Sequence, residues 1–199
     1  MKLIIVRHGE TEENAAGITQ GHLPGRLSKF GKEQAQKLGE RLKNEKIDFV
    51  YSSDLKRTKD TVKEILKHHK CPVIYDEIIR ERSKGIFQGK PNNEYIKAVR
   101  KSGLGEYKFR PPQGENITDL MERAQRFAKK LLVDHKEDST ILICSHGMWI
   151  TCFITYLLGL PNEEVFNRWY ANCSVSELEV SKDKKANFKL YNCLRHLED

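Results

Sequence analysis

Residues 3–6 form an unbroken apolar run, Leu-Ile-Ile-Val, and residues 49–51 and 140–144 repeat the style. Strands buried on both faces lose the polar-apolar alternation of a half-buried strand, so these runs predict a parallel sheet. Between the first two, Phe30, Ala35, Leu38, Leu42 and Ile47 recur near helical spacing over residues 29–46, behind Ser28 as N-cap, which completes a β-α-β unit. Residues 55–69 read as a second amphipathic helix and 148–158 as a fourth. The third, over 115–135, carries Ile117, Leu120, Met121, Ala124, Phe127 and Leu131 along one face. Residues 175–180 and 188–191 read as closing strands around a polar turn over 181–187.

Residues 78–115 break this rhythm with Gly85, Gly89, Pro91, Gly103, Gly105, Pro111, Pro112 and Gly114. The stretch is too long for a simple connector, and it reads as a lid or substrate-binding insertion. The alternative is a surface loop with a short helix near residues 94–101. No composition shift marks a boundary and no internal repeat is present, so residues 1–199 are expected to form a single domain.

Composition narrows the chemistry. With 38% hydrophobic and 32% charged residues the chain is too apolar to be disordered, and 35 Lys and Arg against 28 Asp and Glu leave a formal charge of +7. That balance favours anionic partners and leaves nucleic acid, phosphorylated metabolites and acidic membrane surfaces open. Cys71, Cys144, Cys152, Cys173 and Cys193 are scattered without a C-x-x-C pair, as expected of free thiols in a reducing compartment. The first apolar run meets Arg7 too soon for a signal peptide and no stretch approaches 18 apolar residues, so a cytoplasmic protein without a membrane partner is expected.

Each apolar run ends in a polar cluster: Val6 leads into Arg7-His8-Gly9-Glu10-Thr11, Tyr51 into Ser52-Ser53-Asp54, and Cys144 into Ser145-His146-Gly147. Ligands of open α/β sheets bind outside the carboxyl ends of the strands, so these clusters share one crevice in which His8 and His146 meet. With Arg7, and Arg57 opening the next helix, the crevice holds two imidazoles and two guanidiniums. Guanidinium forks match phosphate oxygens, and helix N-termini after Gly9 and Gly147 add backbone donors, so a phosphoryl group fits. Zinc fits poorly, because H-E-x-x-H and paired cysteines are missing and the arginines repel a cation; no metal and no cofactor are expected.

Arg7-His8-Gly9-Glu10-Thr11 with Asn14, residues 52–58, Arg80-Glu81-Arg82 and Ser145-His146-Gly147 resemble, in order, the motifs of the histidine phosphatase superfamily, phosphoglycerate mutase-like branch. The resemblance implies an α/β fold, a three-layer α/β/α sandwich with a mostly parallel central sheet and the insertion over the active site. It implies that His8 attacks phosphorus and carries the phosphoryl group. Arg7, Arg57 and His146 then form the positive pocket, Asn14 is a further phosphate contact, and Glu81 is the proton donor. Gln20-Gly21 resembles the family's Q-G turn near the phosphate, the alternative being an ordinary turn. Independently of the family, His8 must attack as neutral imidazole, which nearby guanidiniums favour, and its other nitrogen needs an acceptor to fix the tautomer. Glu10 is the rival to Glu81, with a structural role at a helix start as the preferred reading.

Residues 80–90, followed by 109–115, look most like the fructose-2,6-bisphosphatase-type and broad-specificity phosphatases, so a metal-independent phosphomonoester hydrolase acting on sugar phosphates or phosphoglycerate-like acids is expected. The alternative is a cofactor-dependent phosphoglycerate mutase. The insertion carries Arg80, Arg82, Lys84, Lys90, Lys97, Arg100, Lys101, Lys108 and Arg110, which either receive a second phosphate or carboxylate or form a solvated basic face. A non-enzymatic nucleic-acid binder lacks a stacking platform or reading helix, and a phospho-ligand sensor is opposed by the full set of catalytic residues. The expected partner is a small phosphorylated substrate, bound by a monomer or homodimer.

Overall fold

The computed structural model describes residues 1–181 and 185–198. The chain runs β1 (Lys2–Arg7), α1 (Glu12–Ala15), α2 (Lys29–Leu42), β2 (Phe49–Ser52), α3 (Lys56–Ile65), β3 (Val73–Tyr75), α4 (Asn92–Ser102), α5 (Gly105–Lys108), α6 (Ile117–Asp134), β4 (Thr140–Ser145), α7 (Gly147–Leu157), β5 (Val175–Val180) and β6 (Ala186–Cys193), with short 3₁₀ turns between. The six strands pair in the order β3-β2-β4-β1-β5-β6. The first four are mutually parallel, β5 runs antiparallel to β1, and β6 antiparallel to β5.

Period-two alternation divides β1 between two cores. Ile4 and Val6 pack with Ala35, Leu38 and Leu42 of α2 and Val62 and Ile65 of α3. Leu3 and Ile5 face Leu120, Phe127 and Leu131 of α6 and Trp149 and Phe153 of α7. Helices therefore cover both faces, giving the three-layer sandwich that the resemblance implies around the parallel strands that the apolar runs predict.

Element ends differ from the periodicity for local reasons. Ser28 caps α2 by accepting from the Gly31 amide at 2.9 Å, but the helix stops at Leu42 because Lys43, Asn44 and Glu45 bury no apolar side chain. Helix α3 stops at Ile65 and not at 69, because the polar run Lys67-His68-His69 follows its C-cap Leu66. Asn116 and Asp119 form a capping box, which leaves Glu115 outside α6 and free to bind elsewhere. The polar turn over 181–187 includes residues 182–184, which lie outside the described residues. Strand β3 is a three-residue, partly exposed edge strand behind Pro72, too short to show a pattern.

The insertion forms 3₁₀ turns, α4 and α5 around an aromatic cluster of Phe87, Tyr95 and Phe109. Arg82 lies fully buried beneath it, donating to the Glu115 carbonyl at 2.9 Å, to Glu106 Oε1 at 2.8 Å and to the Tyr95 hydroxyl. All five cysteines are unpaired. Among the described residues no helix is long and apolar enough to cross a membrane.

Candidate active site

The register Arg7↔Ser145 between β1 and β4 brings the residues that follow each strand side by side, and the ladder continues with the His8 amide donating to the Ser145 carbonyl at 3.1 Å. The ring centroids of His8 and His146 are consequently 5.1 Å apart, with His8 lining a cleft of about 450 Å³. The turn after β1 depends on close backbone contact. A Cβ on Gly9 would lie 2.6 Å from the Gly31 carbonyl oxygen, and one on Gly31 would lie 1.9 Å from that of Glu10.

The two imidazoles hold opposite tautomers. Nδ1 of His8 lies 2.7 Å from the Gly9 carbonyl, which only accepts, so Nδ1 carries the proton and Nε2 keeps a free lone pair. Nδ1 of His146 accepts from Nε of Arg57 at 3.1 Å, so its proton sits on Nε2, a buried atom without a hydrogen-bond partner among the described residues. Burial, then the charges of Arg57 and its neighbours, hold both rings well below the usual histidine range, and both are neutral at neutral pH.

Both guanidiniums are anchored by carbonyls. Arg7 donates from Nη1 to the Tyr170 carbonyl at 2.7 Å, and its buried Nε has no partner among the described residues. Arg57, 1% exposed, donates from Nη2 to the Gly21 carbonyl at 2.8 Å and from Nη1 to that of Leu23. Burial brings Arg57 down to about 10 and lowers Arg7 as well; at about 10, Arg57 stays charged at neutral pH. Gly21 has φ +53°, and a Cβ there would meet Gln88 Oε1 at 2.2 Å, so only glycine lets this turn present its carbonyl to Arg57.

Arg7, His8, Asn14, Gln20, Gly21, Arg57, Glu81 and Gly147 all line the cleft, and His146 lies behind it on Arg57. Asn14 spends its Oδ1 on the Thr11 amide at 3.2 Å, which leaves its Nδ2 for the cleft. Glu81 reaches the start of α7, where its carboxylate accepts from the amides of Met148 at 3.3 Å and Trp149 at 3.2 Å and from that of Arg82 at 2.9 Å. Those α7 donors, expected to meet a free anion, thus hold the proton-donor candidate. The helix expected directly after Gly9 is only the four-residue α1, starting at Glu12. Glu10 points away from the cleft and accepts from the Ser28 hydroxyl at 2.7 Å.

Arg80 and Lys90, expected at the substrate, are placed elsewhere. Arg80 forms a two-point pair with Asp54, its Nε 2.7 Å from Oδ1, because the extended backbone after Ile79 turns it towards the loop after β2. Lys90 projects along the outside of the insertion with Nζ 6.0 Å from the Phe87 ring centre. The insertion instead lines the cleft with Glu81, Arg82, Lys84, Asn92, Tyr95 and Ile96. Lys84 lies 3.6 Å above the Tyr95 ring and 3.2 Å from Glu106 Oε1; burial and Arg82 push it down to about 8. Sequence reasoning missed Arg168, Trp169 and Tyr170, a third wall between α7 and β5. Their Arg-Trp-Tyr succession in a non-periodic stretch was the available signal.

The sequence profile described as histidine phosphatase superfamily (branch 1) matches residues 3–193. The chain belongs to that family. It is 36% identical over 183 residues to a probable phosphoglycerate mutase GpmB of Proteus mirabilis, covering 90% of this chain and 85% of that one. Among solved structures, the α-ribazole phosphatase of Shigella flexneri superposes with a TM-score of 0.89 at 26% identity, over 97% of this chain and 96% of the other. A mycobacterial glucosyl-3-phosphoglycerate phosphatase in complex with VO3 gives 0.87 at 25% identity, over 97% and 99%. Histidine phosphatase membership makes the chain an enzyme of that type and accounts for the four motifs standing in order along it.

Proposed function

We propose that this histidine phosphatase is a metal-independent phosphomonoester hydrolase for small phosphorylated metabolites, sugar phosphates or phosphoglycerate-like acids, acting through phosphohistidine at His8. The observation that carries the reading is the opposed tautomer pair: an uncharged nucleophile at His8 Nε2 beside an unpartnered donor at His146 Nε2, with the free Nε of Arg7 on the same floor.

His8 Nε2 attacks phosphorus while the ester P–O bond breaks. Charge on the transferring oxygens meets Arg7, the His146 Nε2–H and the charge of Arg57, all held before substrate arrives. The phosphorylated imidazole is cationic, and the Gly9 carbonyl accepts a hydrogen bond from its Nδ1–H, which keeps its proton. Glu81, entering the step as the carboxylic acid, protonates the leaving alkoxide. As carboxylate it then takes a proton from the water that attacks phosphohistidine, which releases inorganic phosphate and restores neutral His8.

The phosphatase names of the solved neighbours support hydrolysis, whereas the name of the Proteus relative supports the second reading, a cofactor-dependent phosphoglycerate mutase. A screen of phosphorylated metabolites for phosphate release, run beside 3- to 2-phosphoglycerate interconversion, separates the two. Quenching with labelled substrate should trap an acid-labile, base-stable phosphoprotein that His8→Ala abolishes. Labelling that persists in that variant would overturn the mechanism.

A further inference from the structure

Most cations around the cleft are already committed to protein partners. Arg82 is engaged by Glu106 and by carbonyls, Lys84 shares that one carboxylate, and Arg80 is held by Asp54. Arg168 differs. It lines the same cleft as His8, and among the described residues it forms no ion pair and its buried Nη1 has no hydrogen-bond partner. A buried guanidinium nitrogen with no acceptor is uncommon, and a ligand is the simplest way to supply one.

The wall that carries it is held in place relative to the phosphate site. The carbonyl of Tyr170, two positions on, accepts from Arg7 at 2.7 Å. The Trp169 carbonyl accepts from the Tyr191 hydroxyl at 3.1 Å, and the Ala171 amide donates to Asn192 Oδ1 at 2.9 Å. Arg168 is thus tied through two residues of backbone to a guanidinium on the cleft floor, and a rigid substrate can be read by both at once. Glu81 lines the same cleft, but its carboxyl group accepts from backbone amides and forms no ion pair with Arg168 among the described residues.

We propose that Arg168 is the specificity residue of the cleft, receiving a second anionic group, carboxylate or phosphate, carried on the alcohol part of the phosphomonoester. The proposal rests on the hydrolase reading above and moves the second anion from the basic insertion to the opposite segment of chain. A guanidinium presents a fork to either anion, so both chemistries are covered by the same atoms.

The test uses matched pairs of compounds: 3-phosphoglycerate against glycerol 3-phosphate for the carboxylate, and fructose 1,6-bisphosphate against fructose 6-phosphate for the second phosphate. The wild-type enzyme should favour the doubly anionic member of at least one pair by about 10- to 100-fold in kcat/KM, the worth of one charge-assisted contact. Which pair is discriminated tells the two anions apart. Arg168→Gln should bring that ratio towards one, chiefly through KM, and Arg168→Lys should restore part of it. Lys84→Gln should leave more of the preference than Arg168→Gln does. The proposal falls if the wild type discriminates neither pair, if Arg168→Gln slows both members equally, or if the preference disappears with Lys84 and survives without Arg168. Should none of the four compounds release phosphate, the hydrolase reading fails separately. Calorimetric binding of the same four to wild type and Arg168→Gln then decides the subsite, equal affinities across each pair counting against it.

Discussion

Arg123 of α6 donates from Nη2 to the backbone carbonyl of Glu81 at 3.0 Å, across 42 positions of sequence. Nη1 of the same guanidinium holds the carbonyls of Ile78 and Arg80 at 2.7 and 2.8 Å, and Glu115 fixes its Nε and Nη2 from the other side. His22 Nε2 lies 2.8 Å from the Glu81 carbonyl as well. The irregular stretch bearing Glu81, the proposed proton donor, is thereby pinned to a long helix, which makes Arg123 a candidate positioning residue.

Arg123→Leu should therefore lower kcat on alkyl phosphates by about 10- to 100-fold, the cost of a displacement near 1 Å at a reacting group. The loss should shrink for p-nitrophenyl phosphate, whose phenolate leaves unprotonated, and Arg123→Lys should recover part of it. A uniform loss across leaving groups would mean that Arg123 merely stabilises the fold.

Glu81→Gln should cost about 10²- to 10⁴-fold with alkyl phosphates and much less with p-nitrophenyl phosphate while phosphorylation of His8 limits the rate, which burst kinetics establishes. Glu10→Gln should show no leaving-group dependence, because Glu10 faces Ser28 at the start of α2 and not the cleft. Leaving-group dependence at Glu10 and its absence at Glu81 would reverse the two roles.

Acid should destabilise the protein through its site. Burial, followed by Arg57, depresses His8 and His146, so below the ordinary histidine value of about 6.5 the unfolded chain takes up protons that the folded site refuses. Their contribution is complete above about pH 6.5 and is lost as pH falls from there towards the depressed folded values. The partly buried His22, His135 and His196 are lowered too, chiefly by desolvation, and act in the same direction. Urea midpoints between pH 5 and 8 should fall on the acid side, and the double variant His8→Asn/His146→Gln should flatten that slope. An unchanged slope would place the proton uptake elsewhere.

Gly31→Ala adds a Cβ 1.9 Å from the Glu10 carbonyl oxygen. Alanine gains about 0.5–1 kcal/mol of helix propensity, but relieving the overlap requires α2 and the turn after His8 to separate, so a net loss of about 1–3 kcal/mol is expected. Urea unfolding measures it. Activity should fall with it, since the displaced turn includes Gly9, whose carbonyl sets the His8 tautomer.

Much of the molecule was legible in one dimension because its signals are local. Apolar runs mark strands buried on both faces, helical spacing marks α2, α3, α6 and α7, and the polar residues that follow β1 and β4 sit where a parallel sheet must open. Those rules sufficed to bring His8, His146, Arg7 and Arg57 to one address, since register along adjacent parallel strands leaves little choice. Tautomers, by contrast, depend on which atom faces each ring nitrogen, and the Gly9 carbonyl and Arg57 Nε occupy those places only after folding. Arg80 and Lys90 read as substrate residues because charge in sequence carries no direction. Asp54 turned the first away, and the outer course of the insertion carried the second along Phe87. Arg123 gave no local sign, because it acts on carbonyls 42 to 45 positions away, and the Arg-Trp-Tyr succession that includes Arg168 did not tell where it lies, because its place is set by a wall that Arg7 reaches across 163. Element type is set by neighbours a few residues apart, whereas partner choice for a long flexible cation is set by whichever acceptors packing brings within about 3 Å.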